Sequence, residues 1–362
     1  MLKRGQTIAR YKEEVGMKLK KILAVSLAFA MTFAMMASVT GCAPKTPVVT
    51  TPGAVTTPSY KVAVLTMRKM TTPADLSTLQ GIEKLRSEYK DMEIKIIECI
   101  TIPEYKEQVL AASEAGYDVI YFLYDNFLAA VKELAPKYPN IKYIGLWIQL
   151  SKEQLAQLPN VEPLFFHPEQ GSFVAGYAAA KMTKTGKIGF LGGGNNPGIV
   201  TFLAGYEAGM KYADKNVELV ITWANTFEDP VKGKALADNM YSRGVDVILQ
   251  AANLTGLGVF KSAEANGKFA IGCDVDQSPL APDNIIGSVL LDHGYATYDS
   301  IKKAYMGEFA NKQVIYGLAE GMPVFAPNTK LINASLLAEI ETVQQSIADG
   351  KIEVPITTTT TK

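Results

Sequence analysis

The stretch that decides the fold runs from residue 233 to residue 277: GKALADNMYSRGVDVILQAANLTGLGVFKSAEANGKFAIGCDVDQ. It reads as helix, strand, helix, strand. Lys234 to Tyr241 places Ala235, Leu236 and Met240 at helical spacing, and Gly244 supplies a C-terminal stop. Val245 to Leu249 is a short β-branched run without helical period, the pattern of a strand buried on both faces. Its end opens into AANLTGLGVF, where Asn253 is polar and Gly256 and Gly258 permit close approach of the backbone to a guest. Phe269 to Cys273 is a second such strand, and it empties into Asp274-Val275-Asp276-Gln277. Two parallel strands therefore deliver polar residues to one rim of a sheet, which in open α/β sheets is where ligands bind.

Working outward, strands alternate with helices from Tyr60 onward. KVAVLTM (61–67), EIKIIECI (93–100), DVIYFLY (118–124) and IKYIGLW (141–147) are strands, separated by helical runs. The second half repeats the first. Lys61-Val62-Ala63-Val64-Leu65 aligns with Lys187-Ile188-Gly189-Phe190-Leu191, Gly116-Tyr117-Asp118 with Gly244-Val245-Asp246, and Ile144-Gly145 with Ile271-Gly272. The offsets are all about 127 residues. Two copies are too few for a solenoid and predict two doubly wound parallel-sheet lobes facing each other across a cleft. The expected boundaries are 60–167 plus about 289–315 for one lobe and 168–288 plus about 316–352 for the other, joined by three crossings. By the repeat, Trp147 is the mate of Asp274; it is either core or a rim aromatic that helps sandwich a planar guest.

Ahead of this body lies an address. Lys18, Lys20 and Lys21 precede an apolar run from Ile22 to Met36 and then Val39-Thr40-Gly41-Cys42, the layout of a secretory signal. A cysteine directly after a small residue at the cut resembles the bacterial lipobox, which implies a lipid on Cys42 and a place on the outer face of the cell membrane. Residues 1–16 read as an upstream start that need not be used. Residues 43–59 are rich in Thr and Pro and form a tether that cannot bury enough surface to order itself.

Composition narrows the function. Among 362 residues, 36 Lys and Arg balance 36 Asp and Glu, so no general attraction to nucleic acid is expected. Two histidines, His167 and His293, and three cysteines provide neither a metal cluster nor a disulfide framework, and no cofactor is implied. Cys99 and Cys273 sit in strand runs and read as buried thiols. Gly192-Gly193-Gly194-Asn195-Asn196-Pro197-Gly198 lacks dinucleotide spacing and reads as a tight turn at the cleft rim. Asp274 and Asp276 without a neighbouring His or nucleophile favour ligand binding over acid–base catalysis.

HPEQGSFVAGYAAAKMTKTGKIGFLGG, TFLAGYEAGMKYA, NTFEDPVKGKALADNMYSRGVDVI, AANLTGLGVF and IGCDVDQ together resemble the basic membrane protein family, the substrate-binding lipoproteins of ABC importers typified by a purine nucleoside receptor. The resemblance implies a type I periplasmic-binding-protein fold, a nucleoside between the lobes, ABC permease subunits as partners and no catalysis. It places the stacking aromatic on Phe227, the glycine beside the base on Gly256, and the ribose-binding acid on Asp274 or Asp276, with Asp276 preferred. A carboxylate suits a diol because it accepts hydrogen bonds from both hydroxyls. The first-lobe loop departs from the family: Thr66-Met67-Arg68-Lys69-Met70-Thr71-Thr72-Pro73 has neither its acid nor its Asn. Met67, Met70 and Trp147 are therefore expected to form an apolar wall that tolerates a deoxynucleoside. The competing readings are a binding module for a sugar or other metabolite serving a signalling or chemoreceptor system, and a surface enzyme acting on nucleosides or sugars.

Overall fold

The computed structural model describes residues 60–358; Cys42, the signal and the tether lie outside them. The first sheet is built from β1 (Tyr60–Thr66), β2 (Met92–Glu98), β3 (Val119–Leu123), β4 (Lys142–Leu146) and β5 (Val161–Phe166), completed by the late strand β11 (Val314–Tyr316). The second uses β6 (Lys187–Gly192), β7 (Glu218–Trp223), β8 (Val247–Ala251), β9 (Phe269–Gly272), β10 (Ile285–Val289) and β12 (Phe325–Pro327). Their spatial orders, β11-β5-β4-β3-β1-β2 and β12-β10-β9-β8-β6-β7, match strand for strand. The internal repeat is thus a repeat of architecture. One strand breaks the parallel rule: β12 runs antiparallel to β10.

Side chains alternate across each strand, and the inner strands are buried on both faces, whereas the edge strands β2 and β7 are partly exposed. Val62 and Val64 enter one apolar cluster, while Ala63 and Leu65 enter another. The larger cluster continues into the second sheet through Phe190, Leu249 and Ile271. Helices α1 (Pro73–Glu88), α2 (Ile102–Glu114), α3 (Leu128–Leu134) and α4 (Lys152–Ala156) serve the first half. They are followed by α5 (Pro168–Met182), α6 (Pro197–Ala213), α7 (Pro230–Ser242), α8 (Leu257–Asn266), α9 (His293–Tyr305) and α10 (Ala334–Ala348). Pro73, Pro168, Pro197 and Pro230 each open a helix, where a missing N–H costs nothing. Asn196, Asp229 and Asn333 accept from the backbone N–H three residues on, each cap contributing about 1 kcal/mol. The small residues of α5 let it lie against α6: a Cβ at Gly176 would sit 2.1 Å from the Tyr206 carbonyl oxygen.

The chain passes between the sheets three times: from β5 to α5 at His167, from β10 to α9 through residues 290–292, and from β11 to β12 through residues 317–324. These passages are tied side by side. His167 N–H donates to the Tyr316 carbonyl at 3.3 Å, and Leu290 N–H to that of Val324 at 2.8 Å. Among the described residues no helix is long and apolar enough to cross a membrane.

Candidate functional site

The strand ends carry unusual backbone. Tyr124 after β3, Trp147 after β4, Asn225 after β7, Asn253 after β8 and Asp274 after β9 all have positive φ, between 52° and 75°. Left-handed backbone is uncommon outside glycine, and here it gathers at the rim the sequence marks for a ligand.

On the second lobe, Phe227 is half-buried and its ring packs against the glycine turn after β6. A Cβ on Gly193 would come within 2.3 Å of its ring, and one on Gly194 within 3.5 Å. Thr226 N–H donates to the Gly193 carbonyl at 2.8 Å and Thr255 N–H to that of Phe227 at 3.2 Å, so the ring rests on a fixed bed. Asn253 is half-buried, and its amide oxygen is shielded from solvent with no hydrogen-bond partner among the described residues.

Asp274 and Asp276 part company. Asp276 is exposed, and its carboxylate accepts from both the N–H and the hydroxyl of Ser278, at 3.0 and 2.6 Å. Asp274, on left-handed backbone, is half-buried. Its carboxyl is desolvated, which pushes its pKa up to about 6; the Cys273 thiol, donating at 3.4 Å, and Arg68 work in the opposite direction, while Asp75 adds to the rise. The half-buried acid is Asp274, two residues before the preferred one.

Gly256 lies against a buried side chain. A Cβ there would meet Gln250 Oε1 at 1.8 Å, so the missing side chain makes room for Gln250. Gln250 is fully buried, donates to Gln277 Oε1 at 2.9 Å, and accepts from Ala252 N–H at 3.1 Å. Gln277 Oε1 also takes the Cys273 N–H at 2.8 Å. This pair of glutamines clamps the ends of β8 and β9 and so fixes Asn253 and Asp274. Sequence reading passed over both, although a Gln closing an apolar strand run is a visible signal.

The first-lobe wall is not the apolar surface expected. Met70 is only 8% exposed and belongs to the core, and Met67 packs half-buried against the cluster that holds Ala63 and Leu65. The wall instead presents Arg68, whose Nε and Nη2 donate to Asp75 at 3.3 Å each and whose Nη2 also reaches the Tyr124 hydroxyl at 3.1 Å. Asp75 is 1% exposed and doubles as the capping-box acid of α1, accepting from Thr72 N–H at 3.0 Å. Burial works against the charge on Arg68, but Tyr124 and Asp75 outweigh it and hold its pKa above the ordinary value.

Trp147 is half-buried and anchored: its indole N–H donates to His293 Nε2 at 3.0 Å. Phe166 stacks on His293 at 5.2 Å between centroids and touches Tyr316 at 5.6 Å. Phe166, His293 and Tyr316 border the first, second and third passages, so Trp147 stands on the point where all three meet. Burial lowers the His293 pKa to about 4, which keeps the ring neutral and able to accept. Among the described residues no group of three His, Cys, Asp or Glu could hold a metal ion. The thiols of Cys99 and Cys273 are free and buried.

Comparison with known proteins places the fold and the family. A family model described as ABC transporter substrate-binding protein PnrA-like matches residues 73–358. Basic membrane protein A2 of Borrelia garinii subsp. bavariensis is 36% identical over 284 residues, covering 77% of this chain and 83% of that protein. An ABC transporter solute-binding protein from Aeropyrum pernix superposes with a TM-score of 0.72 at 24% identity, over 82% of this chain and 94% of that one. A periplasmic solute-binding protein from Actinobacillus succinogenes with bound D-allose superposes at 0.59 and 18% identity, over 74% and 98%. The two lobes are those of a type I periplasmic-binding-protein fold, and the chain belongs to the family of PnrA-like ABC transporter substrate-binding proteins.

Proposed function

We propose that this protein is the extracytoplasmic receptor of an ABC importer, holding a nucleoside-like molecule between its lobes and handing it to the permease subunits. The observation that carries the ligand class is the Phe227 ring packed against Gly193 and Gly194, at the same rim as Asn253 and the desolvated carboxyl of Asp274. A flat ring on a fixed bed suits a base, and an acid two strands away suits the hydroxyls of an attached sugar. Gly256 and Asp276 act at one remove, by seating Gln250 and by turning the loop after β9. Trp147 and Met67 belong to the first-lobe wall, Trp147 as the link to the hinge. The protein stays on the cell surface through a lipid on Cys42, which lies outside the described residues.

A thermal-shift panel of nucleosides, free bases and sugars, followed by calorimetry of the hits, tests the ligand class. Stabilisation by nucleosides and not by sugars is expected. A response to sugars alone would move the reading to a sugar receptor. Metabolic labelling with palmitate tests the anchor: the wild type is expected to take label and Cys42→Ala to lose it. Equal labelling of both would remove Cys42 from the scheme.

A further inference from the structure

Arg68 is a cation at the cleft that neither the apolar-wall expectation nor the second-lobe residues account for. Its side chain is 30% exposed, so it is neither core nor a freely solvated surface group. Three of its N–H bonds are committed, one from Nε and two from Nη2, and they hold the guanidinium to Asp75 and Tyr124. Tyr124 also packs beneath it, with the guanidinium carbon 5.1 Å from the ring centre. Nη1 makes no hydrogen bond to the described residues. A guanidinium fixed on three sides, with two N–H groups left over, is preorganised to donate to something else.

What lies opposite narrows the identity of that something. Asp274 of the second lobe is near enough to feel the charges of both Arg68 and Asp75, and so is His293. Arg68 is paired with Asp75, whereas Asp274 makes no salt bridge among the described residues. A phosphate would be repelled there. A hydroxyl group, by contrast, has one hydrogen to give and two lone pairs to fill. Asp274 can only accept and Arg68 can only donate, so the two satisfy both halves of a hydroxyl placed between them.

We propose that Arg68 is a specificity-determining residue of the cleft, which together with Asp274 selects an uncharged ribonucleoside over its 2′-deoxy form and over its 5′-phosphate. This rests on the nucleoside reading of the site. It also reverses what an apolar wall of Met67 and Met70 would do, since such a wall would accept a deoxynucleoside without loss. Omitting the hydroxyl leaves the Nη1 donors and the Asp274 carboxylate without the partner they would share, and such unpaired groups discriminate strongly.

The test is calorimetry of adenosine, 2′-deoxyadenosine and adenosine 5′-monophosphate against wild type, Arg68→Gln and Arg68→Lys, each checked for folding by circular dichroism. Wild type should prefer adenosine to 2′-deoxyadenosine by about tenfold or more, the effect of one hydrogen bond to a charged group. Arg68→Gln should bring that ratio to about twofold or less, with the affinity for 2′-deoxyadenosine nearly unchanged. Arg68→Lys, which keeps a cation beside Asp75, should fall between them and carries the test if the Gln variant does not fold. A wild type that binds both forms equally, or a ratio untouched by either substitution, or equal loss for both ligands, would overturn the proposal and leave the nucleoside reading standing. A wild type that binds no nucleoside would overturn both.

Discussion

Trp147 and Asp274 occupy the same place in the two halves of the repeat, and both hold left-handed backbone, with φ of 65° and 71°. The shared conformation comes just after the end of each strand. One half spends that position on an anchor to the hinge, the other on a charge. Asp tolerates this backbone better than most residues, and Asn better still. Asp274→Asn should therefore keep the fold while removing the charge, and should weaken nucleoside binding by about ten- to a hundredfold. The wild type should also bind less tightly as pH falls through about 6, because protonation of Asp274 removes an acceptor. Asp274→Asn should be flat over that range. Calorimetry from pH 5 to 8 measures both.

Gly193 offers a test of the stacking platform that leaves Phe227 intact. Gly193→Ala places a methyl group where the Phe227 ring now lies, 2.3 Å from its nearest atom. The ring must lift or tilt. Binding should fall by about tenfold, approaching the loss from Phe227→Ala, since stacking of a base on an aromatic contributes roughly 1–3 kcal/mol. Circular dichroism should show an unchanged fold in both variants. Full affinity in Gly193→Ala would remove the ring from the ligand site.

The account of Gly256 as a seat for Gln250 separates cleanly from a ligand-facing one. Gly256→Ala should cost about 1–3 kcal/mol of stability in denaturant titration, as overpacking does, because its methyl group collides with Gln250. Adding Gln250→Ala should recover part of that loss, since it removes the colliding side chain. Lost binding at unchanged stability would contradict this.

Glu162, in β5, is 3% exposed, and burial pushes its pKa up to about 7, opposed by the Ala310 N–H that donates at 3.1 Å. The folded state thus binds this proton more tightly than the unfolded chain does. Its contribution to stability is full below the unfolded pKa near 4.5 and is lost as pH rises through about 7. Glu162→Gln carries no such proton. Its stability relative to wild type should rise by about 1–3 kcal/mol between pH 5 and pH 8, read from urea unfolding.

What the sequence disclosed and what it withheld divide along a physical line. Runs such as Val245 to Leu249 are buried on both faces, and burial on both faces leaves an unmistakable apolar signature. The repeat register followed because each half needs the same strands in the same order. The partners of Arg68 were not legible, since Asp75 meets it only through the turn from β1 into α1, and Tyr124, 56 residues away, only once β1 and β3 pair. The difference in burial between Asp274 and Asp276 goes with the backbone after β9, which composition does not encode. The three-residue strands β11 and β12 are too short for any periodicity and owe their conformation to the strands beside them.

The three passages between the sheets also govern how the chain can come into being. The first sheet lacks its edge strand until Tyr316 has been made, and α9, which packs on α1, arrives almost as late. A nascent or emerging segment ending near residue 167 is therefore an unfinished lobe, with the flank of β5 bare. Neither half can be excised as a contiguous fragment and be whole. The molecule is assembled by return visits, and its last strands close both lobes within a dozen residues of each other.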